Sequence, residues 1–174
     1  KAGPDQTSTE VKRALLALIL LAGCGAQVPK LTEGYRDPSA LIGSTSRYDA
    51  ARFKGAWVVR GSFDADAPAT VSFVNSTGGP AFQVCDDGGD CDGLWVATST
   101  GQGRYSLTLP NGDTQSLWVL WVDEGFRTAV VGNPAGDFGW ILDRKPTGGA
   151  DRIKAAQEIL DFNGYDISQL RMRK

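Results

Sequence analysis

The sequence predicts an all-β fold, an eight-stranded up-and-down antiparallel barrel with one C-terminal α-helix packed outside, and three observations carry that prediction. Short runs rich in Val, Leu, Thr and Trp alternate with turn-forming residues, and 22 glycines break the 174-residue chain too often for long helices. Eight such runs follow one another from Ala56 with no helix between them. Each can pair with the next, and closure removes the edges an open sheet would expose. Only near the C-terminus does the apolar period lengthen to that of a helix. A two-sheet sandwich is the competing architecture.

In chain order, the first element is an address. Val11-Lys12-Arg13 is followed by an apolar or small run from Ala14 to Gly23 and then by Cys24. Basic residues ahead of an apolar stretch of that length make the two regions of a secretory signal. The run is shorter than the roughly 20 residues a transmembrane helix needs. A buried core helix is the structural alternative, but the run is apolar on every side. Leu21-Ala22-Gly23-Cys24 resembles the bacterial lipobox. That resemblance implies cleavage before Cys24, lipidation (palmitate among the acyl chains) of its thiol, and a durable anchor, because several acyl chains hold where one does not. Gly25 after the cysteine implies export to the outer membrane, facing the periplasm. Residues 1–24 therefore read as an N-terminal extension with a lipoprotein signal peptide. Residues 25–47, polar and interrupted by Pro29 and Pro38, read as a tether, and 48–174 as the folded domain.

The strand candidates are 56–64, 69–76, 80–86, 93–100, 103–109, 115–122, 126–133 and 137–144. Gly78-Gly79-Pro80, Gly101-Gln102-Gly103, Asn111-Gly112 and Asn133-Pro134 punctuate them. Cys85 and Cys91 flank a short Asp-Gly-Gly-Asp loop between two strands, and in an exported protein they suit a disulfide bond. A calcium site at Asp86, Asp87, Asp90 and Asp92 is the rival reading, but the spacing lacks the EF-hand pattern and its closing Glu. From 149 to 163 the pattern is helical, with Ile153, Ala156 and Leu160 on one face, Ile159 and Phe162 beside it, and Asn163-Gly164 as the stop. Its stripe needs the outside of the barrel as a partner.

Composition narrows the function. A net charge of -2 with balanced signs offers no basic face, which disfavours nucleic acid. The absence of histidine removes the usual general base and the commonest transition-metal ligand, so neither a metal nor a cofactor is expected. Carboxylates remain at Asp49, Asp86, Asp87, Asp90, Asp123 and Asp143, and these read as turn residues or strand-end charges.

The segment Arg47-Tyr48-Asp49-Ala50-Ala51-Arg52-Phe53-Lys54-Gly55-Ala56-Trp57 resembles the opening motif of the lipocalin family. Leu117 to Phe126, with Asp123 at its turn, is similar to the second motif, although Phe126 stands where Tyr is common and so lacks its hydroxyl. Trp140-Ile141-Leu142-Asp143-Arg144 is similar to the third, and Gly164-Tyr165-Asp166 closes the block. Order and spacing over about 48–170 resemble the bacterial outer-membrane lipoprotein lipocalins in particular.

The resemblance implies a calyx whose closed end is floored by Trp57 with Arg144 stacked on it, a structural cation–π pair worth about 1–2 kcal/mol when shielded. Alternation from those two residues places Val59, Gly61 and Phe63 inward on the first strand, and Leu142, Trp140 and Phe138 inward on the last. By the same resemblance Phe73, Ala97, Ser99, Tyr105 and Leu107 line the cavity from the middle strands, with Trp118 and Leu120 from the sixth. Trp121 then faces outward, under the helix or toward a second copy in a homodimer. The small Gly61, Ala97 and Ser99 leave room for an acyl chain, although the same aromatics could pack a solid core. The implied function is binding of a fatty acid or lysophospholipid for storage, transport or scavenging. The alternative is a filled-barrel structural or interaction lipoprotein. An enzyme is not expected, because the inward set holds no carboxylate.

Overall fold

The computed structural model describes residues 34–173, so Cys24 and the signal-like segment lie outside the described residues. Eight strands form where alternation and turn residues predict them: β1 (Gly55–Ser62), β2 (Thr70–Ser76), β3 (Gly79–Cys85), β4 (Trp95–Gly101), β5 (Arg104–Thr108), β6 (Thr114–Val122), β7 (Thr128–Gly132) and β8 (Gly139–Asp143). Each pairs antiparallel with the next. β1 pairs with β2 on one side and β8 on the other, closing an up-and-down barrel. A two-residue β9 (Arg171–Met172) adds to the end of β1 at Gly61 and Ser62.

The predicted outer helix is α2 (Ala150–Phe162), preceded in the chain by a one-turn α1 (Ala50–Phe53). α2 ends where Gly164, at φ 86°, lets the chain reverse and Tyr165 N–H return to the Leu160 carbonyl at 3.0 Å. Ile153, Ala156 and Leu160 are its buried stripe, and Phe162, expected beside that stripe, is 83% exposed.

Two apolar cores result. The inner one fills the barrel with Phe53, Trp57, Phe73, Phe82, Leu107 and Leu142 among others. The outer one lies between the barrel wall and α2 and contains Phe63, Leu120, Val130, Ile141 and Tyr165. Tyr165 stacks on Phe63 at 5.2 Å between ring centroids, and its hydroxyl donates to the Phe138 carbonyl at 2.9 Å. Gly132 and Gly139 permit this approach, since a Cβ on either would collide with the Tyr165 ring or hydroxyl.

The outer core corrects four inward assignments. A bulge between Val59 and Gly61 inserts Arg60 into β1 and reverses the alternation beyond it, so Gly61 and Phe63 face outward. Gly61 there lies against Met172 and Ile141. On β6, Leu117 and Val119 point in, and Trp118 and Leu120 point out. A second bulge at Leu120 then brings Val122 inward. Trp118 carries the Arg104 guanidinium 4.1 Å from its ring centroid, and Trp121 packs against the outer core as expected.

Residues 34–47, read from the sequence as part of a tether, lie on the barrel. Tyr35 N–H donates to the Gly136 carbonyl at 2.7 Å, and Thr45 N–H donates to Val119 at 2.8 Å. Arg36 is buried, donating from Nε to the Asn163 carbonyl at 2.7 Å and from Nη1 to Pro134 at 3.0 Å. Unperiodic sequence does not distinguish such a strap from a free linker, because its bonds run through the backbone and one guanidinium.

Candidate ligand site at the mouth of the barrel

The two ends of the barrel differ. At one, α1 plugs the opening. Asp49 caps it, accepting from Ala51 N–H at 2.8 Å and Arg52 N–H at 3.1 Å, and Phe53 enters the core. Trp57 donates its indole N–H to the Phe53 carbonyl at 2.9 Å. Arg144 lies over the Trp57 ring, 3.5 Å from its centroid. Its Nη1 donates to the Ala56 carbonyl at 2.7 Å, and its Nη2 reaches Lys54 at 2.9 Å and Arg52 at 3.0 Å. Desolvation lowers the Arg144 pKa, yet the guanidinium stays charged, held by a π-face and carbonyls. Arg52 covers the Phe126 ring at 4.0 Å, so the residue replacing Tyr contributes an aromatic face instead of a hydroxyl.

Phe126 stands at φ 54°, a left-handed conformation uncommon for an aromatic residue, in the β6–β7 turn. Asp123 holds that turn, accepting from Thr128 N–H at 2.7 Å, Gly125 N–H at 3.2 Å and Arg127 Nε at 3.0 Å. Desolvation alone would raise its pKa. The backbone donors from Thr128, Arg127 and Gly125, with the Arg127 side chain, outweigh that and hold it below the usual carboxylate range.

Between the ends, the interior is closely packed. Val59, Leu107 and Leu142 are sealed, and Phe73 sits 4.7 Å from Phe82 and 5.6 Å from Tyr105, centroid to centroid. Ala97 is inward and filled around. Phe73, Ser99 and Tyr105 do reach open space, in a cleft of about 640 Å³ beside the plug. There the Tyr48 and Tyr105 hydroxyls bond at 2.6 Å, and desolvation raises the pKa of both.

The opposite end is open. A cup of about 450 Å³ is floored by Phe138, Trp140, Trp95 and Val84 and rimmed by the β1–β2, β3–β4 and β7–β8 loops. Of the thirteen residues expected to line a cavity, Phe138 and Trp140 line this one. The sequence reading did not include Trp95 or the rim. Trp95 opposes Phe82 across β3 and β4, and it stands two residues before Ala97 on β4, so the alternation that places Ala97 inward places Trp95 inward as well. Cys85 and Cys91 form the predicted disulfide, clipping the β3–β4 loop at the rim. Within that loop Asp90 N–H donates to the Asp86 carboxylate at 3.0 Å. Among the described residues no three Asp, Glu, Cys or His side chains converge to hold a metal ion.

Residues 101–174 match the family model described as Lipocalin-like domain. A 57-residue stretch is 35% identical to Temperature-induced lipocalin-1 of Arabidopsis thaliana, covering 33% of this chain and 31% of that protein. Among solved structures, apocrustacyanin C1 superposes with a TM-score of 0.53 at 12% identity, covering 70% of this chain and 76% of that one. Lobster apocrustacyanin A1 gives 0.52 at 12% identity, with 70% and 77% covered. At such identity the superpositions speak for the fold alone. The chain thus shares with these solved structures a closed eight-stranded antiparallel barrel with one helix outside, and its residues 101–174 are similar to the lipocalin-like domain family.

Proposed function

We propose that this chain is a membrane-tethered binding protein that takes an acyl-bearing lipid of the fatty-acid or lysophospholipid class into the mouth of its barrel, for storage, transport or scavenging. The observation that carries this reading is the aromatic cup itself. Its volume of about 450 Å³ falls within the roughly 300–1,000 Å³ of small-molecule sites, and its floor is Phe138, Trp140 and Trp95. The sealed barrel beneath restricts the guest to the upper part of the calyx. The tether rests on the apolar run ending at Cys24, and with it the expectation of an outer-membrane location facing the periplasm.

Native mass spectrometry of the purified protein, combined with displacement of a fluorescent fatty acid, tests the binding claim. A bound lipid, or displacement at micromolar concentration, is the expected result. Failure of both leaves the filled-barrel interaction protein, which the tight inner core favours. Fractionation of Cys24→Ser tests the tether: the variant should leave the membrane fraction, and retention there would reject lipidation at Cys24.

A further inference from the structure

We propose that the plugged end of the barrel carries a second ligand site, a cleft for a small carboxylate on a compact aromatic body, with Lys54 as the partner of its charge. The site shares no lining residue with the cup at the mouth, so it stands or falls without the binding role assigned there.

The cleft exists because two hairpins part. β2 and β3 pair along their length, from Thr70 with Cys85 to Ser76 with Gly79, and β4 pairs with β5 from Val96 to Gly101. β3 and β4 pair only at Ala81 with Val96 and Phe82 with Trp95. Pro80 follows toward the plugged end, a residue suited to the end of a ladder because it has no N–H to donate. There the seam opens into the cleft of about 640 Å³, walled by Pro80 on one hairpin, Ser99 on the other and Ala50 and Ala51 of α1 across the gap. Tyr48 is half-buried in its wall, and Phe73 and Tyr105, nearly sealed, form its floor. Phe82 packs on both floor rings and is itself buried, so the floor is closed to a long acyl chain and a compact ring fits instead. The Tyr105 centroid lies 5.6 Å from Phe73 and 6.1 Å from Tyr48, a spacing at which aromatic rings pack edge-on or offset.

Two polar features set the charge of the guest. Among the described residues Lys54 is the one charged side chain lining the cleft, and it is exposed and has no ion-pair partner. Asp49, the nearest carboxylate in sequence, already accepts from the Ala51 and Arg52 N–H groups as the cap of α1. Independently, the Tyr48 and Tyr105 hydroxyls share one hydrogen bond at 2.6 Å and have no other partner among the described residues. One hydroxyl donates to the other, which leaves the second proton without an acceptor. Burial raises the pKa of both, so both protons stay in place at neutral pH. A carboxylate answers both features, as an acceptor for that proton and a countercharge for Lys54. The wall is in place before a guest arrives, which lowers the cost of binding. Gln102 Nε2 donates to the Ser46 carbonyl at 2.9 Å and the Tyr48 carbonyl at 3.3 Å, and the absence of a side chain at Gly103 lets the Tyr48 ring lie against the β4–β5 turn.

The test titrates the full chain with the matched series naphthoate, naphthamide and naphthylmethylammonium, which share a ring system and differ in charge. Titration calorimetry gives the affinities. Proton–nitrogen correlation spectra give the place, with the Ala51 and Gly103 amides reporting the cleft and the Trp95 and Trp140 indole N–H groups reporting the mouth. Naphthoate is expected to bind roughly fivefold more tightly than naphthamide, the size of an exposed ion pair, with the ammonium weakest. It should move the Ala51 and Gly103 signals and leave both indoles unmoved. Lys54→Gln should erase the preference and Lys54→Glu reverse it toward the ammonium, with circular dichroism confirming that both variants are folded. Salt at about 0.5 M should weaken the preference in the unmodified chain, which tests the charge without any mutation. Equal affinities in the unmodified chain, a preference that survives Lys54→Gln, or shifts confined to the two indoles overturns the proposal, as does failure of naphthoate to bind at millimolar concentration.

Discussion

Replacing Arg144 with Met keeps most of the side-chain bulk and removes both the charge and every donor of that side chain at the plugged end. The structure sets the size of the loss. The two shortest contacts, Nη1 to Ala56 at 2.7 Å and Nη2 to Lys54 at 2.9 Å, are charge-assisted bonds on a half-buried side chain, and about 1 kcal/mol each is the appropriate low-end figure. The stack on Trp57 at 3.5 Å adds about 1–2 kcal/mol. The total, about 3–4 kcal/mol, corresponds to a fall in Tm of about 10 °C for a domain of this size. Arg144→Lys keeps the charge without the planar fork, so it should lose about half as much. Urea and thermal melts followed by circular dichroism measure both. A double-mutant cycle with Trp57→Phe isolates the ring contribution, expected near 1 kcal/mol. A fall below about 2 °C for Arg144→Met, or a larger loss for lysine than for methionine, would refute the account of how the plug is held.

Gly132→Ala and Gly139→Ala should each destabilise the fold by about 1–3 kcal/mol, because the new methyl meets Tyr165 where it is wedged against β7 and β8. Denaturation midpoints check this, and a neutral effect at both positions would show that Tyr165 is free to withdraw. Reduction should add two daltons to the intact mass and cost roughly 2 kcal/mol, since the Cys85–Cys91 bridge closes a loop with a sequence separation of only 6. Asp123, with its folded-state pKa lowered, contributes stability above its ordinary value of 3.8 that is lost as pH falls through the lower folded value. Melts between about pH 5 and 2 should therefore show a shallower acid limb for Asp123→Asn than for the unmodified chain; identical limbs would exclude Asp123 as the source.

The strands were legible because each is bounded by turn residues that the backbone requires, as at Gly101 and Gly103 between β4 and β5. Facing was legible only where one side is polar. On β6 both sides are apolar, since Leu117 and Val119 fill the barrel while Trp118 and Leu120 serve the outer wall, and alternation has no contrast to work with. The bulges at Arg60 and Leu120 reverse parity without any mark in composition. The acidic rim was hidden for another reason. Asp64, Asp86 and Asp137 each stand at the end of a predicted strand, and only the antiparallel meander delivers those three ends to the same side. The disulfide, a local feature closing a short loop, was readable directly.

The seam between β1 and β8 also bears on how the chain reaches this state. Seven of the eight strand pairings that close the barrel join sequence neighbours, whereas Val58 meets Asp143 across nearly the whole domain. Hairpins close in about 1–10 μs, but such a distant pairing carries a larger loop-closure cost. The last event in folding is then the zipping of this seam, and until it occurs two strand edges lie open to pairing with another chain. Export through a membrane would deliver the chain from its N-terminus, so β1 would emerge first and wait longest for its partner.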